Sequence, residues 1–141
     1  MRNIVLAVLL LFPGLVAVEQ NKTQTPLPTE PISRGKYGKY IVDHVAMCIQ
    51  CHTPRNEQGD LLLSQYLTGA PVPVERPQYA GKWALRAPAI VGFPGYTKEQ
   101  GLRLMMEGVA RDGRTPSPPM PPFRMKREDA EAVVAYLQSL K

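Results

Sequence analysis

The apolar and polar positions form three helical stretches around a proline-rich middle. From Arg34 to Cys51, Tyr37, Tyr40, Ile41, His44, Val45 and Cys48 recur at three- and four-residue steps, which predicts a first helix with these residues on one face. Gly35 and Gly38 weaken that helix in isolation, and each also lets a second helix approach closely. A second helix starts at Thr97. Thr97-Lys98-Glu99-Gln100 has the form of a capping box, and Leu102, Met105, Met106 and Val109 follow on one face until Gly108 and the turn Asp112-Gly113. A third runs from Lys126 to Leu140, with Ala130, Val133, Val134 and Leu137 inward and Glu128 and Asp129 in the favourable first turn. Between them, Leu61 to Pro94 admits only a short helical turn near Leu61-Leu62-Leu63 and Tyr66-Leu67, because Pro71, Pro73, Pro77 and Pro88 forbid long regular elements.

Ahead of the first helix the pattern changes twice. Residues 1–18 read as an export signal: Arg2 supplies the positive start, Ile4 to Phe12 is apolar, Pro13-Gly14 breaks the run, and Ala17 offers a cleavage point. The run is short for a transmembrane helix, which needs about 20 residues; uncleaved, it would act as an N-terminal anchor. Residues 19–33 are polar and rich in Pro and Thr, an extended linker or tether. Residues 34–141 form the remaining unit.

Composition narrows the class. A chain of 141 residues suggests one folded domain. Fifteen prolines and 7% aromatics leave a small protein core, to which a buried apolar cofactor would add. The net charge of +5 comes without an arginine-rich run or a nucleic-acid module, so nucleic acid is not an expected partner. It suits an acidic protein surface or an anionic membrane.

The chemistry lies in Cys48-Ile49-Gln50-Cys51-His52, which holds both cysteines and one of two histidines. C-x-x-C-H is the attachment pattern of c-type haem. Two thiols at this spacing can each add across one vinyl group of a porphyrin, and His52 is then held beside the iron as an axial ligand. A thioredoxin-like disulfide would want a preceding strand, whereas the residues before Cys48 read as helix. A zinc site would want a second knuckle, and His44 is the only further His or Cys. Because c-type haem is attached outside the bacterial cytoplasm, the export signal strengthens the haem reading. With no second C-x-x-C-H, one haem is expected.

The second informative stretch is Pro116 to Phe123, where Pro118, Pro119, Pro121 and Pro122 flank Met120. Prolines hold this backbone extended. A rigid loop presenting one thioether suits a weak distal ligand, and Met120 is favoured over Met47 and Met125; Met105 and Met106 have the spacing of core fillers. The axial histidine needs a carbonyl or carboxylate for its other nitrogen, and the Pro54 carbonyl is the nearby candidate. His44 reads as a core histidine sooner than a second ligand. Arg55 is either a propionate partner or a solvated charge, and Trp83 either covers a haem edge or simply packs.

On the residues Arg34 to Arg55 and Met120 to Leu140, the chain resembles bacterial monohaem class I cytochromes c, such as the domains associated with membrane dehydrogenases. That resemblance implies an all-α fold of the class I cytochrome c type, three to five short helices with long Pro-rich loops wrapped around one covalent haem c. It also implies a close crossing of the first and last helices, with Gly38 and Tyr40 meeting Val133 and Tyr136, and His52/Met120 ligation. The implied function is periplasmic single-electron transfer to redox partner proteins through an acidic docking surface, steered by Lys36, Lys39, Arg55, Lys82 and Arg86. The protein would be a monomer or a subunit of a dehydrogenase or oxidase complex, without catalysis of its own. Two positions depart from the family pattern. Ala89 stands where many relatives carry Asn, and Lys126 stands where Ser or Asp often caps the last helix. The competing function is a haem sensor or peroxidase-like enzyme with an open distal site.

Overall fold

The computed structural model describes residues 31–141, so the export signal and most of the linker lie outside the described residues. Three α-helices of ten residues or more supply most of the frame's contacts. The first, α1 (Pro31–Tyr40), begins inside the stretch expected to be extended, because Pro31 carries the φ a first helical turn needs. Two more follow in the second half of the chain, α3 (Lys98–Glu107) and α4 (Arg127–Ser139). Between them lie a short helix α2 (Cys48–His52), a 3₁₀ turn at Leu63–Gln65, and a two-residue antiparallel pair, β1 (Ala70–Pro71) with β2 (Arg86–Ala87). The fold is mainly helical, as expected, with one small hairpin that the proline-rich middle did not announce. Among the described residues no helix is long and apolar enough to cross a membrane.

The stretch expected as one helix from Arg34 to Cys51 is three pieces. After α1 the chain widens into a π-helical turn, Ile41–Val45, closed by Ala46 N–H donating to the Ile41 carbonyl at 2.7 Å. Met47 then sits in the left-handed region at φ 53, and α2 begins. The widened turn rotates the apolar stripe out of phase. Ile41, Val42 and Asp43 are buried, while Tyr40 and Val45, expected inward, are 54% and 60% exposed. His44 is likewise at the surface, its ring 5.7 Å from that of Tyr40, so it is not a core histidine.

The α1–α4 crossing is present and depends on Gly38. A Cβ there would lie 2.1 Å from the Ala132 carbonyl oxygen and 2.7 Å from Tyr136 Cβ, so the two backbones touch. Tyr40, expected at this crossing, is 54% exposed. Tyr37 takes part, its hydroxyl donating to Asp129 Oδ1 at 2.9 Å. In α3 the Thr97–Gln100 capping box forms in both directions and Gly108 ends the helix as expected. In α4, Ala130, Val133, Val134 and Leu137 are 0–1% exposed, and Lys126 gives no side-chain cap.

Candidate functional site

The core of α3 and α4 does not close against α2 directly. A cavity of about 710 Å³ lies there, and Cys48, Cys51, His52 and Met120 all stand on its wall. Its volume is that of a site for a sizeable organic ligand. Leu104, Met105 and Leu137 line it from the helices, and Phe93 and Tyr96 from the loop before α3, stacked at 4.6 Å.

His52 is fixed through Nδ1. Its ring is 7% exposed, and Nδ1 lies 2.7 Å from the Pro88 carbonyl. A carbonyl only accepts, so Nδ1 carries the proton and Nε2 keeps a free lone pair for a metal. Burial lowers the imidazole pKa, the Pro88 bond opposing it, which favours the neutral ring a metal ligand requires. The partner is Pro88 and not Pro54, whose carbonyl instead accepts from Leu62 N–H at 2.8 Å. Proximity in sequence misled here, because the loop after His52 turns away to form its own hydrogen bonds.

A small frame delivers Pro88. The His52 carbonyl accepts from Gly69 N–H at 2.7 Å, and buried Thr53 Oγ1 accepts from Leu67 N–H at 3.0 Å. The Leu67 carbonyl in turn accepts from Ile90 and Val91 at 2.9 and 3.2 Å. Gly69 is essential to this closure. It sits at φ +90, and a Cβ would come within 2.8–2.9 Å of Ala89 N, Ala87 O and Pro88 C. Sequence reasoning passed over Thr53 and Gly69; the only local signal was the Thr68-Gly69 pair before a proline.

The two thiols are half-buried and unpaired to one another. Burial pushes the Cys48 thiol up to about 11, so it stands as a neutral thiol at neutral pH. Among the described residues no three of His, Cys, Asp and Glu converge as a metal cluster. Met120 is half-buried within its proline loop. Met47 and Met105 also reach the cavity wall, the first half-exposed and the second 3% exposed in the core; Met106 and Met125 do not reach it.

The remaining predicted residues divide. Arg55 is off the wall and ties its own loop, donating to the Gly59 carbonyl at 2.6 Å and to Gln50 Oε1. Trp83 and His44 are also off the wall. The cationic residues on the wall are Arg86 and Arg111, and Arg111 was not anticipated. Arg111 donates to the Gly95 carbonyl at 3.0 Å and lies over the Tyr96 ring at 5.7 Å. The arrangement fits a haem: an apolar slot, two thiols three residues apart, an imidazole with Nε2 free, a thioether, and two guanidinium groups for carboxylates.

Comparison with known proteins agrees. The sequence model of the cytochrome c family matches residues 36–141. The chain is similar to the fructose dehydrogenase cytochrome subunit of Gluconobacter japonicus, with 32% identity over 113 residues. The match takes in 73% of this chain and 21% of the relative, so the chain spans about a fifth of that protein's length.

Proposed function

The chain belongs to the cytochrome c family, and from that premise we propose that residues 34–141 are a one-electron carrier domain with His52 and Met120 as the axial ligands of its haem c. Family membership implies the covalent haem, and the C-x-x-C-H motif at Cys48, Cys51 and His52 fits it. One observation carries the proposal: Cys48, Cys51, His52 and Met120 line a single cavity, with His52 Nε2 left free by the Pro88 bond.

When bound, the haem supplies an iron that cycles between ferric and ferrous states. Cys48 and Cys51 would tether it by thioether bonds. His52, its ring fixed by Pro88, and Met120 would hold the iron, the thioether as a soft ligand that favours the reduced state. Arg86 and Arg111 would hold the carboxylates, while Phe93, Leu104 and Leu137 would keep water out. With both ligands in place, no position would be left for a substrate at the metal. The cavity wall carries no carboxylate and no second histidine, so a peroxidase-like reaction would lack its acid–base partner.

The reading extends to place and partner. Residues 1–18 direct export to the periplasm or anchor the domain, and the part of the linker that precedes α1 joins the two. The relative is named as a cytochrome subunit of a dehydrogenase, which supports electron exchange with a dehydrogenase partner here. Arg86, Arg111 and the net charge of +5 favour an acidic docking face on it.

The test is the absorption spectrum of the haem-loaded protein. The oxidised form should show the weak far-red charge-transfer band of methionine–iron ligation, and Met120→Ala should abolish it. A high-spin wild-type spectrum that binds carbon monoxide readily would overturn the proposal in favour of an open-site sensor or enzyme.

A further inference from the structure

The loop that carries Met120 has few means of holding itself in place. Of its residues 116–122, only Ser117 and Met120 have a backbone N–H; the other five are proline. Among the described residues, one backbone hydrogen bond joins residues 115–121 to another part of the chain. Ala84 N–H donates to the Pro118 carbonyl at 2.7 Å, two residues before Met120.

Ala84 belongs to the hairpin between β1 and β2. Its stem is closed by the pairs Ala70–Ala87 and Pro71–Arg86 and by Val72 N–H donating to the Leu85 carbonyl at 2.9 Å. Outside the cavity the hairpin packs poorly, with Tyr79 92%, Leu85 76% and Val74 51% exposed. Its inward contacts are at the cavity, where Val72 and Ala84 join the wall beside Pro119 and Met120. The residue directly after the stem is Pro88, whose carbonyl holds His52.

We propose that this hairpin is a brace for Met120, the Ala84 amide acting as a positioning group that ties the methionine loop to the ribbon whose Pro88 carbonyl already holds His52. The inference rests on the His52/Met120 reading. The prolines make the methionine loop stiff, but stiffness alone does not fix where the loop sits. The Ala84–Pro118 bond anchors it to the ribbon that already fixes the histidine, so the two ligands keep a constant mutual placement.

The experiment removes the amide. In haem-loaded Ala84→Pro, the methionine charge-transfer band should weaken. Free imidazole, which competes with methionine for the iron, should bind about ten-fold more tightly than to wild type, a change of about 1.4 kcal/mol, the order of one lost hydrogen bond. Ala84→Ser keeps the amide and should return imidazole affinity to within about two-fold of wild type. A second measurement does not depend on the proline variant folding. Coupling is reciprocal, so Met120→Ala should speed hydrogen exchange of the Ala84 amide while leaving that of Gly69, on the histidine side, at its wild-type rate. Unchanged imidazole affinity in Ala84→Pro, or unchanged Ala84 exchange in Met120→Ala, overturns the brace while the ligand reading stands. A wild-type protein without the methionine band overturns both.

Discussion

Gly38→Ala tests whether the α1–α4 crossing organises the fold. A methyl group at Gly38 would lie 2.1 Å from the Ala132 carbonyl oxygen and 2.7 Å from its carbon. Ordinary contact begins near 3.4 Å, so the helices must separate by roughly 1.3 Å, and neither obstacle is a side chain that can swing aside. A gap of about that size forfeits a quarter to a half of the dispersion energy across it. Next to the crossing, Ile41 and Val42 of the π-helical turn and Val133 and Leu137 of α4 are in the core, each 0–4% exposed. At about 2 kcal/mol for each buried side chain, that loss is roughly 2–4 kcal/mol. Replacing glycine within a helix returns about 1 kcal/mol. The net destabilisation is roughly 2 kcal/mol.

Gly35→Ala is the internal control. Nothing lies within 4 Å of a Cβ there, so only the propensity gain of about 0.5–1 kcal/mol remains. Guanidinium titration of the haem-loaded protein, followed by far-ultraviolet ellipticity, should show a lower midpoint for Gly38→Ala and a higher one for Gly35→Ala at a common slope. A Gly38→Ala midpoint equal to or above wild type would refute the reasoning.

Two further predictions concern groups that support the site from outside it. Tyr66 donates to Asp43 Oδ1 at 2.5 Å and accepts from the Tyr136 hydroxyl at 3.1 Å, so Tyr66→Phe should cost about 1–2 kcal/mol at pH 7, read from the same titration. Burial, with help from Asp43, raises the Tyr66 phenol well above its ordinary 10.0; its contribution is fully present below about pH 10 and is lost as pH rises, because the unfolded phenol ionises first. Tyr66→Phe should therefore lose stability less steeply above pH 10 than wild type, and an unchanged alkaline slope would refute the assignment. Gly69→Ala adds a left-handed strain of about 1–2 kcal/mol to a clash with the Pro88 peptide, so it should destabilise by roughly 3 kcal/mol and shift the nuclear magnetic resonance signal of the His52 Nδ1 proton. A wild-type Nδ1 signal in a folded variant would separate Gly69 from the histidine.

What the sequence made legible was local. The capping box at Thr97 and the inward face of α4 each depend on residues within a few positions of one another, and each stands in the structure as expected. The prolines around Met120 exclude a helix as expected, but the backbone turns at residues 118–120 where it was expected to run extended. Two kinds of feature escaped. One was a phase change: the π-helical turn at Ile41–Val45 breaks the period that made Tyr40, His44 and Val45 look inward. Its trace in the sequence was Asp43 within an otherwise apolar run, a carboxylate that becomes buried because Tyr66 and Lys39 satisfy it. The other was partnership at a distance. His52 and Pro88 are 36 residues apart, and no spacing rule links a histidine to a particular far carbonyl.

The backbone strain falls around the same cavity. The non-glycine residues at positive φ among those described are Met47 at 53, Leu67 at 58 and Phe93 at 50. Met47 is the joint before Cys48, Leu67 carries the carbonyl that holds Ile90 and Val91, and Phe93 is on the cavity wall. Each left-handed residue costs about 1–2 kcal/mol, which persists only where the surroundings over-determine it. The long helices α3 and α4 contain none of it. An even spread would suggest loop irregularity; concentration at three joints of one frame indicates that the core's stability is used to aim groups at the cavity. A carrier gains from that use directly. Electron transfer is fast when the ligand geometry hardly changes between oxidation states, and under the proposed His52/Met120 ligation a rigid frame around the cavity would resist such change. A substrate-binding enzyme would instead need one of those two positions loose.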